Sequence, residues 1–78
     1  MHIGQLIRRE LANQGRTVTW FAKRLSYSRT YVYKIFGSES IDTGLLFHIS
    51  SVLDVDFFKC YSEVLENGEP GPNLERTD

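Results

Sequence analysis

Two imidazoles and one thiol, His2, His48 and Cys60, are the side chains of this 78-residue chain best suited to metal ligation or nucleophilic attack. They stand far apart, without the short intervals that group the donors of a zinc site. No glycine-rich phosphate loop, paired-carboxylate pocket or nucleophile–base arrangement accompanies them. No catalytic residue, metal or cofactor is therefore expected, and the chain does not read as an enzyme. The cations carry more information. Residues 1–36 hold Arg8, Arg9, Arg16, Lys23, Arg24, Arg29 and Lys34 against Glu10 alone, a net charge of +6. Residues 37–78 hold Lys59 and Arg76 against nine carboxylates, a net charge of −7. The overall charge of −1 hides this division. A cationic segment beside an acidic one fits a surface for a polyanion with an acidic back that limits unspecific adhesion. The other reading of the split is two solvated surfaces of opposite sign.

The elements that would position these charges are short helices. Ile3, Leu6, Ile7 and Leu11 recur at helical spacing, and Gly15 stops that stretch. Thr17 is a good cap for a second helix, whose apolar stripe is Val18, Phe21, Ala22 and Leu25. Ser26-Tyr27-Ser28 makes a three-residue turn, with Ser28 capping a third helix over about Arg29 to Phe36. Val32, Ile35 and Phe36 form its inner side, and Tyr31 is expected to pack beside Phe36 as partial core. Gly37 suits a positive-φ stop. Asp42 caps a fourth helix with the stripe Leu45, Leu46, Ile49, Val52 and Leu53. Asp54-Val55-Asp56 breaks it, and Asp56 caps a fifth piece bearing Phe57, Phe58, Tyr61, Val64 and Leu65. Strand formers are frequent, but no clean period-two run appears, so the fold class is all-α. Residues 1–66 form the domain and 67–78, with both prolines and three acids, a flexible acidic tail.

Thr17 to Phe36, TVTWFAKRLSYSRTYVYKIF, holds the spacing that points to function. Ala22 gives two steeply crossing helices a small side chain at their closest approach, and Leu25, Val32 and Ile35 fill the wedge between them. A second helix held this way projects its outer side chains from the domain. These residues resemble the helix-turn-helix domain of the lambda-repressor-like (Cro/XRE-type) family. Its pattern runs from a Ser/Thr cap through Leu-Ala, Leu, Gly-Val-Ser and a following Ile/Val. Thr17, Phe21-Ala22, Leu25, Ser26-Tyr27-Ser28 and Val32 stand at the same spacings, with Ser26 at the usual turn glycine. LLFHISSVLDVDFFKCY is similar to the family's fourth helix, break and fifth helix, so the resemblance covers residues 2–65. It implies five short helices around a helix-turn-helix, double-stranded DNA as partner, and base contacts from Arg29, Thr30 and Tyr33.

The residue chemistry agrees. With Val32 inward, Arg29, Thr30 and Tyr33 lie outward at the start of the third helix, with Lys34 beside them. Arginine reads guanine O6 and N7, threonine offers a methyl to thymine, and tyrosine stacks on sugars or donates to phosphates. Phosphate contacts are expected from Arg16, Lys23, Arg24 and Lys34. Trp20 has two placements open to it, partial burial against the first helix, which is favoured, or an exposed flat surface. The fifth helix carries more apolar surface than a small domain easily covers, so Phe57, Phe58, Tyr61 and Leu65 are expected at a homodimer contact. A DNA-binding transcriptional regulator is the leading expectation. A protein-interaction module of the same fold is the alternative, since Val18 and Trp20 stand where polar contacts are usual. An antitoxin that autoregulates its operon is a related use. No apolar run reaches the length of a membrane span, and the lone cysteine fits a cytoplasmic setting.

Overall fold

A computed structural model describes residues 1–68, and the rest of the expected acidic tail lies outside the described residues. Five short α-helices follow one another: α1 (Ile3–Asn13), α2 (Val18–Leu25), α3 (Arg29–Phe36), α4 (Thr43–Leu53) and α5 (Phe57–Glu66). No strand occurs among the described residues. None of these helices is long and apolar enough to cross a membrane.

Each helix begins on a side chain that accepts a hydrogen bond from an otherwise unpaired backbone N–H. Thr17 Oγ1 accepts from Trp20 N at 3.0 Å, and Ser28 Oγ from Tyr31 N at 3.1 Å. Asp42 Oδ1 accepts from Leu45 N at 2.8 Å, and Asp56 Oδ1 from Lys59 N at 3.2 Å. All four are the caps expected from sequence. The fifth is His2, whose Nδ1 accepts from Gln5 N at 3.2 Å.

The stops are more varied. Gly15 adopts φ +68° after α1, and Ser26 adopts φ 63° after α2, the left-handed conformation that a glycine would take more cheaply. Gly37 does not behave as expected. Its φ is −86°, because its N–H still bonds to the Tyr33 and Lys34 carbonyls and the helical path runs on before the chain turns.

That continuation matters for packing. The loop after α3 delivers two carbonyls to the start of α1: Ile3 N–H donates to Glu39 O at 3.0 Å and Gly4 N–H to Ser38 O at 2.9 Å. Gly4 itself is buried, and a Cβ there would overlap the carbonyl oxygens of Ile35 and Phe36. The absence of a side chain is what lets α1 lie directly on the end of α3. At the other end of α1, the Gln14 amide donates to Leu53 O at 2.8 Å and to Glu10 Oε2 at 2.9 Å, pinning α1 to the close of α4.

The core gathers the inner stripe of every helix. Ile3, Ile7, Leu11, Phe21, Ala22, Leu25, Val32, Ile35, Phe36, Leu46, Ile49, Leu53 and Phe57 are buried, with no polar side chain among them. Phe21 and Phe36 lie parallel at 6.4 Å between ring centres, joining α2 to α3. Leu6, Val18, Trp20, Leu45, Val52 and Tyr61 are partly buried against this cluster.

Two expectations about aromatics need correction. Phe57 is only 2 % exposed within the single chain, so it closes the core and is not available to a dimer contact. Tyr31 is exposed and pairs with Tyr27 at 4.6 Å between ring centres instead of packing beside Phe36. The ring against Phe36 is Tyr33, edge-on at 6.1 Å. On an eight-residue helix with Val32, Ile35 and Phe36 inward, position 31 falls about 100° from Val32 and is carried to the flank.

Candidate nucleic-acid interface

Within α3, the buried Val32, Ile35 and Phe36 fix which side of the helix is free. Arg29, Thr30, Tyr33 and Lys34 are all exposed, with Tyr33 at 58 %. Arg29 and Thr30 occupy the first turn, and Tyr33 lies one turn after Arg29 on the same flank. The side chains of Arg29, Thr30 and Lys34 make no hydrogen bond or ion pair within the described residues. They are three polar groups, two of them cationic, without a hydrogen-bond or ion-pair partner among the described residues. The Ser28 cap holds the start of α3, so the backbone beneath Arg29 and Thr30 is fixed even though their side chains are free.

The cations expected to touch phosphates divide into two groups. Lys23 is exposed on the last turn of α2, a favourable place for positive charge at a helix C-terminus. Arg16 and Arg24 are brought together by a residue assigned no contact of its own. The Arg16 guanidinium carbon sits 4.4 Å from the Trp20 ring centre, and that of Arg24 sits 5.4 Å from it. Cation–π attraction of this kind contributes about 0.5–1 kcal/mol at exposed sites. Its larger effect is to restrict two long side chains while their N–H edges stay free to donate. Trp20 is half-buried, as favoured from sequence, and its backbone N–H is the donor held by the Thr17 cap. Arg24 stands one turn after Trp20 on α2, a spacing visible in the sequence, whereas Arg16 precedes the extended Thr17 cap and no helical spacing signals its contact.

Arg8 joins the same region through tertiary structure alone. Its guanidinium carbon lies 5.9 Å from the Phe36 ring centre, and Phe36 is also the ring that Tyr33 meets edge-on. Arg8 is one helical turn beyond Gly4, which crosses the end of α3, so the crossing carries this cation to the Phe36–Tyr33 edge. No local spacing signals that contact.

His48 is exposed, and no group of three or more His, Cys, Asp or Glu side chains among the described residues could hold a metal ion. Burial, and then the charges of Glu63 and Asp56, push the Cys60 thiol above its ordinary value of 9.0, which keeps it neutral. Burial and then Cys60 push the Tyr61 hydroxyl upward as well.

Of the residues expected at a homodimer contact, Phe58 is 36 % and Leu65 56 % exposed on α5, whereas Tyr61 is half-buried against the core. Comparison with known proteins gives no match to a family model, to a curated protein or to a solved structure.

Proposed function

We propose that this chain is a sequence-specific, double-stranded DNA-binding transcriptional regulator of the helix-turn-helix type, with α3 entering a major groove. The observation that carries this reading is the side-chain division on α3. Val32, Ile35 and Phe36 are held in the core, while Arg29, Thr30 and Tyr33 are exposed on a helix whose start is capped. A capped and buried helix that presents an arginine, a threonine and a tyrosine has the donors and the methyl group that base edges in a major groove require. Arg16, Lys23, Arg24 and Lys34 are the phosphate contacts in this scheme, and Trp20 positions two of them. A two-fold dimer through Leu65 and Tyr61, in the second half of α5, sets two copies of α3 about one DNA turn apart, roughly 34 Å.

Selection from random duplex DNA followed by anisotropy titration at several salt concentrations tests the proposal. Contact with about six phosphates predicts a log–log slope of roughly −5, and a palindromic consensus is the expected product of selection. Absence of salt-sensitive binding at low ionic strength would sink it. The second reading, a protein-interaction module of the same fold, draws on Val18 and Trp20, which pack against the core at the start of α2. An antitoxin repressing its own operon would use the same DNA surface, so the titration separates the interaction module from both DNA-binding uses.

A further inference from the structure

The α4–α5 junction carries a second surface, made of different chemistry and independent of the proposed DNA contacts. Phe47, Ser50, Ser51, Asp54, Val55, Asp56 and Phe58 line an open groove of about 520 Å³. Phe47 is 67 % exposed, the highest value of any large apolar side chain described, and Phe58 adds a second accessible ring. Neither ring is needed to close the core, which Phe57 completes between them.

The polar groups of the groove are selective about what they can accept. Ser51 Oγ donates to Phe47 O at 3.0 Å, and Ser50 Oγ accepts from Phe57 N at 3.4 Å, so both hydroxyls are engaged with backbone. Asp56 uses Oδ1 to cap α5 and keeps its other oxygen. The Asp54 carboxylate has no hydrogen bond or ion pair among the described residues. Two aromatic faces beside two carboxylates with unused oxygens match a donor-rich cation on an apolar stem. Arginine fits best, since its guanidinium stacks on rings and donates to carboxylates at its edge.

We propose that this groove docks a polypeptide partner that presents an arginine next to a large apolar side chain, the apolar group lying against Phe47 and Phe58 and the guanidinium against Asp54 and Asp56. Charge complementarity selects this occupant. A two-fold contact between copies through the same groove brings Asp54 and Asp56 toward their own counterparts, where like charges repel. Leu65, proposed above for dimerisation, lies seven residues beyond Phe58 on α5, about 10 Å along the axis, so the two surfaces are separable.

The probe is a blocked synthetic peptide with one leucine flanked by arginines, titrated into ¹⁵N-labelled protein, with a glutamate-flanked peptide as control. Saturable amide shifts at Phe47, Ser50, Ser51 and Asp54 to Phe58 are expected with the arginine peptide only. The double variant D54N/D56N should bind about five- to tenfold more weakly. Asparagine keeps both backbone roles, the left-handed conformation at 54 and the N-cap at 56, so the variant should melt like the parent. F47A should weaken binding without unfolding an exposed position. DNA affinity of D54N/D56N should not fall, which separates this test from the one above. The proposal is overturned by lack of saturation, by equal binding of the glutamate peptide, by unchanged affinity of both variants, or by shifts confined to α2 and α3. It is also overturned if the same amides shift with protein concentration alone, which would give the groove to a second copy of the chain.

Discussion

Arg29 and Lys23 carry the same charge and are both exposed, yet their positions assign them different work. Arg29 stands on the first turn of α3 beside Thr30, where the proposed DNA binding would bring a guanidinium to base edges; Lys23 stands on the last turn of α2, where the same proposal brings an ammonium to a backbone phosphate. Arg29→Ala is therefore expected to cost about 1–3 kcal/mol on the selected site and to relax one base position. Lys23→Ala should weaken binding to all sequences alike and lower the salt slope by about one. Binding measured across a randomised duplex library distinguishes the two, and identical profiles would move the base-reading face off α3. The types of these residues were plain in the sequence. The pairing of Arg24 with Trp20 was also encoded there, in an i, i+4 spacing on α2, whereas Arg16 lies before the Thr17 cap and its place on the ring is a matter of the turn.

Among the helices, α3 is the element on which the proposed function and stability meet, and two positions test how it is held. Ser28→Ala removes the side-chain acceptor for Tyr31 N and should cost about 1 kcal/mol, with faster hydrogen exchange in the first turn of α3. Ser28→Asn should restore both, since asparagine caps as well as serine. If Ser28→Ala leaves melting and exchange unchanged, the start of α3 is held by its neighbours and not by its cap. Gly4→Ala tests the opposite end of the helix. Its Cβ would meet backbone carbonyls of Ile35 and Phe36, which cannot rotate aside as a side chain could. Overpacking of this kind costs about 1–3 kcal/mol. In a domain of this size each kcal/mol lowers Tm by about 4–8 °C. A thermal melt within a degree of the parent would show that α1 can lift from α3 freely. The helices themselves and four of their caps were legible because 3.6-residue periodicity and Ser, Thr or Asp at N-cap positions are local features. Gly4 was not legible as a packing residue, because what excludes a side chain there is the end of α3, more than thirty residues away.

Across the whole molecule, charge and apolar surface are distributed unevenly, and each gives its own expectation. Arg16, Lys23, Arg24, Arg29 and Lys34 belong to the proposed DNA face, while α5 retains exposed Leu65 beyond what the core uses. Leu65→Glu should leave folding intact, as surface changes usually stay within about 0.5 kcal/mol. It should shift sedimentation to the monomer and weaken binding to a palindromic duplex far more than to a half-site. A dimer that survives this change is built elsewhere. The apolar surplus of the last helix was visible in advance, but its division was not. Phe57 turned inward and Phe58 stayed accessible, because helical rotation about α4 decides which of two adjacent phenylalanines closes the core.

By itself the sequence determined the five helical pieces of the described residues, the caps at Thr17, Ser28, Asp42 and Asp56, and the concentration of cations before Gly37. Each follows from interactions within a few residues along the chain, so local pattern contains it. Tertiary structure alone decided that Gly37 continues the helical path, that Arg8 reaches Phe36, that Tyr31 pairs outward with Tyr27, and that Phe47 and Phe58 border one acidic groove. Those outcomes depend on the angles at which α1 crosses α3 and α5 follows α4. Crossing angles are set by side chains distant in sequence meeting in space, and no window of neighbouring residues encodes them.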